Sequence, residues 1–321
     1  MNILITGAAG FIGSNLFNKL CLSSDNTVVG IDNFSQEIYP AEIKQNRVEN
    51  FLSKKGVFVE RDIFDSALSL LFEKYQFDIV VHLAAHAGVR PSINNPEEYY
   101  RNNVLGTARL INMMTKYKCN KMVFASSSSV YGNCKELEFK EDIVGLKPIS
   151  PYAATKLACE EMLYMYHKLN EMNITCLRFF TVYGPEQRPD LAIHKFTDCL
   201  LNDNVIHVYG DGHNVRDYTY IDDIVEGIVS AINYTMYNTN VYEIFNLGGG
   251  NPVSISDMIR TIACNLGKIP NIVHMSMQPG DVEKTVSNCD KARLLLSFKP
   301  RVSFDEGIAK FVKWKLKTIG E

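Results

Sequence analysis

Residues 2–13 read NILITGAAGFIG. A short, continuous apolar run, Asn2 to Thr6, stops at Gly7. Two more glycines follow at intervals of three, Gly10 and Gly13, and Phe11 to Cys21 then reads as an amphipathic helix. An unbroken apolar run of this length fits a strand buried on both faces, as in a parallel sheet. Glycines at the turn let the backbone bend sharply and approach a pyrophosphate, whose charge would rest on the helix N-terminus. The spacing GxxGxxG is a relative of the dinucleotide-binding fingerprint, and it stands between a strand and a helix as that fingerprint requires.

The same alternation continues outward. TVVGID (27–32), GVFVERD (56–62), DIVVHLAA (78–85) and KMVFAS (121–126) are further strand-like runs, and Pro96 to Tyr117 reads as one long amphipathic segment between two of them. Strands alternating with helices predict a Rossmann-type doubly wound parallel sheet. After residue 180 the pattern loosens into turn-rich stretches, YGP, RPD, YGDG, LGGG and QPGD. A smaller α/β C-terminal substrate lobe over the carboxyl edge of the sheet is therefore expected, that edge being where open α/β sheets bind ligands. The division expected is 1–180, with 215–247 returning to the first lobe, against 181–214 and 248–321.

Composition excludes other classes. The 321 residues carry a net charge of −3 and 21% charged side chains, so neither nucleic acid nor an anionic membrane is expected as the main partner. No apolar run reaches the roughly 18 residues of a transmembrane helix. The first residues lack the basic leader of a signal peptide and are interrupted by glycine, so a cytoplasmic protein is expected. The eight scattered cysteines contain no CxxC pair and read as free thiols.

Asp32 closes the second strand. A carboxylate there accepts hydrogen bonds from both ribose hydroxyls and repels a 2′-phosphate, so NAD is the expected cofactor rather than NADP. Asp62, after the third strand, fits an adenine contact and a turn cap equally well. Farther on, SPYAATK places Lys156 one helical turn after Tyr152. A lysine so placed is expected to lower the phenol's pKa and make Tyr152 a general base for an alcohol proton.

The stretches GAAGFIG, HLAAHAGVRPS, SSSSVYG, YAATK, RFFTVYGPEQRPD and VRDYTYIDDI, in this order, resemble the extended short-chain dehydrogenase/reductase family. Within it they are most similar to the nucleotide-sugar epimerases, and among these to the UDP-glucuronate 4-epimerases. The resemblance implies an isomerase that oxidises the sugar 4-hydroxyl, turns the 4-keto intermediate over and reduces it on the other face, with Tyr152, Lys156 and Ser127 as catalytic residues. It implies cofactor contacts from Gly7, Gly10, Phe11, Ile12, Gly13, Asp32, Asp62, Ile63 and Ala84. For the sugar nucleotide it implies Ser127, Ser128, Thr181 and Arg188 at the sugar, Arg216 at the diphosphate, Asp281 at the uridine ribose, and Tyr209 with Lys195 and Phe196 at the uracil.

The resemblance also gives the four serines at 126–129 a reason. Related dehydratases and decarboxylases carry acidic residues just after the Ser127 position. Here Ser128 and Ser129 stand there, so no carboxylic acid is available to drive elimination. Ser126 and Ser129 are expected to pack on backbone. Asn103 is expected near the nicotinamide or the sugar, and His86 against the cofactor rather than as an acid or base. Asp222-Asp223 and Glu160-Glu161 read as helix-start and solvated-face residues, and no metal is expected. A homodimer through the helices near 97–117 and 151–170 is implied as well. Alternatives are a 4-epimerase of UDP-glucose or UDP-N-acetylglucosamine, a UDP-glucuronate decarboxylase, and a non-catalytic NAD-binding scaffold, which would have no need of both Tyr152 and Lys156.

Overall fold

The computed structural model describes residues 1–250, 252–276 and 284–320. The first half runs β1 (Asn2–Thr6), α1 (Phe11–Leu20), β2 (Thr27–Asp32), α2 (Ala41–Asn50), β3 (Val57–Glu60), α3 (Leu68–Tyr75) and β4 (Ile79–His82). Next come α4 (Val89–Asn94), α5 (Pro96–Tyr99), a π-helical segment (Tyr100–Leu105), α6 (Gly106–Lys116), β5 (Lys121–Ser127), a 3₁₀ turn (Ser128–Tyr131), α7 (Pro151–Asn170) and β6 (Asn173–Phe179). The remainder is β7 (Thr181–Tyr183), α8 (Ala192–Leu201), β8 (Ile206–Tyr209), β9 (Val215–Tyr220), α9 (Ile221–Tyr237) and β10 (Tyr242–Leu247). It ends with β11 (Pro252–Ser254), α10 (Ile255–Leu266), β12 (Ile272–Met275), α11 (Asp290–Leu296) and α12 (Phe304–Ile319).

Seven strands form one parallel sheet in the order β10-β6-β5-β4-β1-β2-β3. The order reverses between β1 and β4, which opens the crevice where such sheets take their ligands. Both faces are apolar, and successive residues serve opposite helix layers. Ile3, Ile5, Val81, Val123 and Leu177 pack into the core that contains α1 and α9. Leu4, Val80, Met122, Phe124 and Ile174 pack into the core that contains α3, α6 and α7. This two-sided burial is why the strands read as continuous rather than alternating runs.

The chain after residue 180 adds a three-stranded sheet, β11-β9-β7, and a parallel pair, β12-β8. α9 packs on β5 and β6 of the large sheet, and β10 extends its edge, whereas β9 lies in the small sheet. Buried Asp217 of β9 holds the LGGG turn by accepting the N–H groups of Gly249 and Gly250, and it also accepts from Ser287. The segment expected as one helix, Pro96 to Tyr117, is three pieces, with a π-helical stretch where Asn102 and Asn103 turn inward. Inserted π turns often mark a site. All eight cysteines are unpaired, and among the described residues no helix is long and apolar enough to cross a membrane.

Candidate active site

One cleft along the carboxyl edge of the large sheet brings together Gly7, Gly10, Phe11, Ile12, Gly13, Asp32, Ile63 and Ala84 at one end. Ser126, Ser127, Tyr152, Lys156, Thr181 and Arg188 share the same cleft farther along. The glycine turn is a cradle that any side chain would fill. Gly7 has φ +72°, and a Cβ on it would stand 2.8 Å from the Ala84 nitrogen; a Cβ on Gly13 would stand 2.1 Å from the Gly7 carbonyl. Asp32 is held ready beside it, accepting from the N–H of Ala9 (3.2 Å) and of Phe34 (2.9 Å), with Lys44 Nζ 3.7 Å away. Two glycines without room for a Cβ, Gly7 and Gly13, with a helix N-terminus and a fixed carboxylate, make a site that fits NAD.

The reactive residues are set by capping. Ser150 caps α7 by accepting from the N–H of Ala153, and Pro151 occupies the first helical position. Tyr152 therefore emerges in the first turn, level with the end of β5. Lys156, one turn on, donates Nζ to the Ala125 carbonyl at 2.6 Å. Burial pushes the Lys156 ammonium down to about 8, against the pull of Cys159, Glu160 and Cys176. The expectation for Tyr152 is corrected. Burial raises its phenol above the ordinary value, and the groups that oppose this are the Ser127 hydroxyl and the Arg188 charge, not Lys156. Lys156 turns its charge toward the strand carbonyl instead.

The serine run divides by side. Ser127 caps the 3₁₀ turn by accepting from Ser129 N–H at 3.1 Å, and it faces Tyr152. Ser126 does not pack on backbone as expected; it donates to Glu160 Oε1 at 2.5 Å. Glu160 is likewise not a solvated residue. Its side chain is 2% exposed and forms a two-pronged pair with Arg178, because α7 turns that face onto β5 and β6. Asp223, though at the start of α9, is buried and accepts from the N–H groups of Arg301 and Val302.

Arg188 lies on the cleft wall with its guanidinium gripped by Asp190 through Nε (2.9 Å) and Nη2 (2.6 Å). Asn103 is corrected too: it faces away from the cleft and is committed to the main chain of His86 and to Thr155, while Asn102 lines the wall. His86 is buried on the wall; Ser35 lies 3.3 Å from its Nε2, burial depresses its pKa, and its Nδ1 has no partner among the described residues. Asp62 spends both oxygens within the chain, on Phe64 N–H and on Asn33, which itself lines the cleft. Ser128, Lys195, Phe196, Tyr209 and Arg216 lie outside these walls. Lys195 is exposed on α8, Tyr209 ends β8 beneath the Arg90 guanidinium (4.8 Å), and Arg216 sits on β9. Asp281 lies outside the described residues. Tyr39, Lys44 and Arg61 line the cleft without having been singled out, since no local spacing brings 39–61 to the glycine turn.

This sheet order, glycine cradle and Tyr152–Lys156 helix define an extended short-chain dehydrogenase/reductase. The chain belongs to the family described as GDP-mannose 4,6 dehydratase, whose model matches residues 4–311. It is 38% identical to a UDP-glucuronate 4-epimerase of Thermodesulfobacterium geofontis, over 98% of this chain and 96% of that one. The crystal structure of the UDP-glucuronic acid 4-epimerase of Bacillus cereus, in complex with UDP-glucuronic acid and NAD, superposes with a TM-score of 0.92 at 38% identity, covering 99% of this chain and 100% of that one. The UDP-glucose 4-epimerase of Thermotoga maritima, solved with UDP-glucose, gives a TM-score of 0.89 at 32% identity, covering 99% and 100%.

Proposed function

We propose that this chain interconverts UDP-glucuronate and UDP-galacturonate by NAD-dependent inversion at C4. The observation that carries this reading is the composition of the cleft: Tyr152, Ser127, Thr181 and Arg188 share its walls, and Asp32, at the adenosine end, is the only carboxylate among the described lining residues. A dehydratase or decarboxylase needs an acid beside Ser127 to move a proton at C5 or C6. Ser128 and Ser129 leave none there.

NAD, when bound, takes a hydride from C4, later returns it, and adds positive charge that favours the phenolate. Tyr152 accepts the proton of the 4-hydroxyl and gives it back after the sugar has turned about its phosphate linkage. Ser127 lines the cleft with Tyr152 and would orient the sugar hydroxyl that Tyr152 serves. Lys156, anchored on Ala125, keeps the α7 turn that carries Tyr152 in register with β5. Arg188 and Thr181 hold the C6 carboxylate, and a guanidinium fork suits that group. The test is incubation with UDP-glucuronate and no added NAD, with products resolved by NMR. UDP-galacturonate at a stable ratio, without CO2 or a pentose, is expected; no turnover of the uronate would sink the reading.

One observation favours a second reading. Arg188 is already neutralised by Asp190, which suits a neutral sugar as well. Conversion of UDP-glucose or UDP-N-acetylglucosamine, with UDP-glucuronate untouched, would establish it.

The polypeptide divides, on this reading, into a cofactor lobe (1–180, to which α9 and β10 return) and a UDP-sugar lobe that keeps β9 beside β7 and β11, so that of the expected 215–247 only the part from 221 joins the first lobe, and it works in the cytoplasm. A homodimer is supported by apolar side chains left exposed on two neighbouring helical segments: Tyr100 and Leu105, and Met165 and Leu169, the last 73% exposed. Leu169→Glu is expected to give monomers in analytical ultracentrifugation; an unchanged sedimentation coefficient places the contact elsewhere.

A further inference from the structure

Glu186 lies two residues before Arg188, at φ +66°, a conformation that non-glycine residues hold only when their surroundings fix it. Three contacts fix it here. Its carboxylate accepts from Arg47 Nε at 3.1 Å and from Trp314 Nε1 of α12 at 3.2 Å. Its main-chain carbonyl accepts from Arg47 Nη2 at 2.8 Å. The remaining arm of Arg47, Nη1, donates at 2.7 Å to the carbonyl of Ala9, inside the glycine cradle. The Arg47 side chain is 1% exposed. A continuous path thus runs from Asp32 through Ala9, Arg47 and Glu186 to the turn that bears Arg188, with α12 closing it from outside.

We propose that Glu186 is a positioning residue that sets the Arg188 guanidinium in register with the cofactor cradle. It rests on the reading of Arg188 as the carboxylate ligand. The sugar's acid end and the hydride acceptor are then measured from the same point, Ala9, rather than from two lobes that meet only through the substrate. The consequence is chemical. The 4-keto uronate is a β-keto acid: if its carboxylate swings out of place, the C5–C6 bond breaks, CO2 leaves, and the electron pair becomes an enolate that takes up a proton at C5. A displacement of about 1 Å at a reacting group can change rates by about 10²-fold, so a loosened Arg188 should reveal itself in product partition.

The test uses the holoenzyme with UDP-glucuronate. The KM, kcat and CO2 released per turnover are measured for Glu186→Gln, which keeps the shape and the Trp314 acceptor but removes the charge facing Arg47. Arg188→Lys serves as the reference. Both are expected to raise the CO2 fraction at least about fivefold and KM about tenfold, with bound NAD unchanged in Glu186→Gln. A rise in Arg188→Lys but not in Glu186→Gln overturns the inference and leaves the Arg188 reading standing. No rise in either removes that reading, and the inference falls with it. If Glu186→Gln does not fold, Trp314→Phe decides in its place, since it removes the outer donor and keeps an aromatic ring against His194 and Phe311; an unchanged CO2 fraction there overturns the inference. A merely structural Glu186 would lower thermal stability without altering the partition.

Discussion

Glu160 and Arg178 meet across the α7–β6 interface through two parallel contacts, Nε to Oε1 at 3.0 Å and Nη2 to Oε2 at 2.7 Å, directly behind the strand end that carries Ser126 and Ser127. The pair lies on the face of α7 that also carries Lys156. Lys156 donates to the Ala125 carbonyl, and Glu160 accepts from Ser126. Residues four apart share a helix face, and here that face holds the end of β5 in place for chemistry.

Breaking this pair from one side leaves a buried charge. Glu160→Ala is expected to cost about 3–5 kcal/mol of stability, while Glu160→Leu with Arg178→Met costs less than either single change. Urea denaturation of Glu160→Ala, of Glu160→Leu and Arg178→Met singly, and of the double variant checks this; an additive double variant would show the pair to be uncoupled.

Loss of the phenol should stop the reaction without unfolding the chain. Tyr152→Phe is expected to lower kcat about 10²–10⁴-fold at unchanged thermal stability, measured by NMR of the sugar products. Near-normal turnover would remove Tyr152 from the role of base.

His82 supplies a pH signature. It is buried between Thr6 and Thr107, and burial aided by the Lys156 charge pushes it down to about 3. The unfolded chain takes up this proton near its ordinary value of 6.5 and the folded chain does not. Stability from this site is therefore complete above that value and is lost as pH falls toward 3. Between pH 6.5 and 5 the loss is about 2 kcal/mol, at about 1.4 kcal/mol per unit. His82→Gln should flatten the slope by that amount, and parallel urea titrations of the two proteins would contradict it.

Gly13→Ala forces a Cβ to 2.1 Å from the Gly7 carbonyl. The variant is expected to purify with little bound NAD, assayed by absorbance of the acid-released nucleotide. Gly145→Ala is the control: its φ is +67° with nothing within 4 Å, so it should cost only about 1–2 kcal/mol of backbone strain and retain its NAD.

What the sequence by itself determined is whatever short-range pattern encodes. Continuous apolar runs, three glycines at fixed spacing and a Ser-Pro cap before Tyr152 specify the parallel sheet, the cradle and the emergence of the phenol, because each depends on backbone geometry within one turn or one strand. The serines at 128 and 129 likewise declare the lack of an acid without any coordinates. Tertiary structure decided which side chains face one another. Glu160 beside Glu161 reads as solvated until α7 docks on β6 and buries one of the two. Asn102 and Asn103 are interchangeable in the sequence, and only the π-helical turn sends one to the cleft and the other to His86. Arg47, Glu186 and Trp314 are separated by 139 and 128 residues. No local periodicity relates them, and they become partners only because the packed lobes remove the alternative partner, water, from a guanidinium that must then be satisfied within the chain.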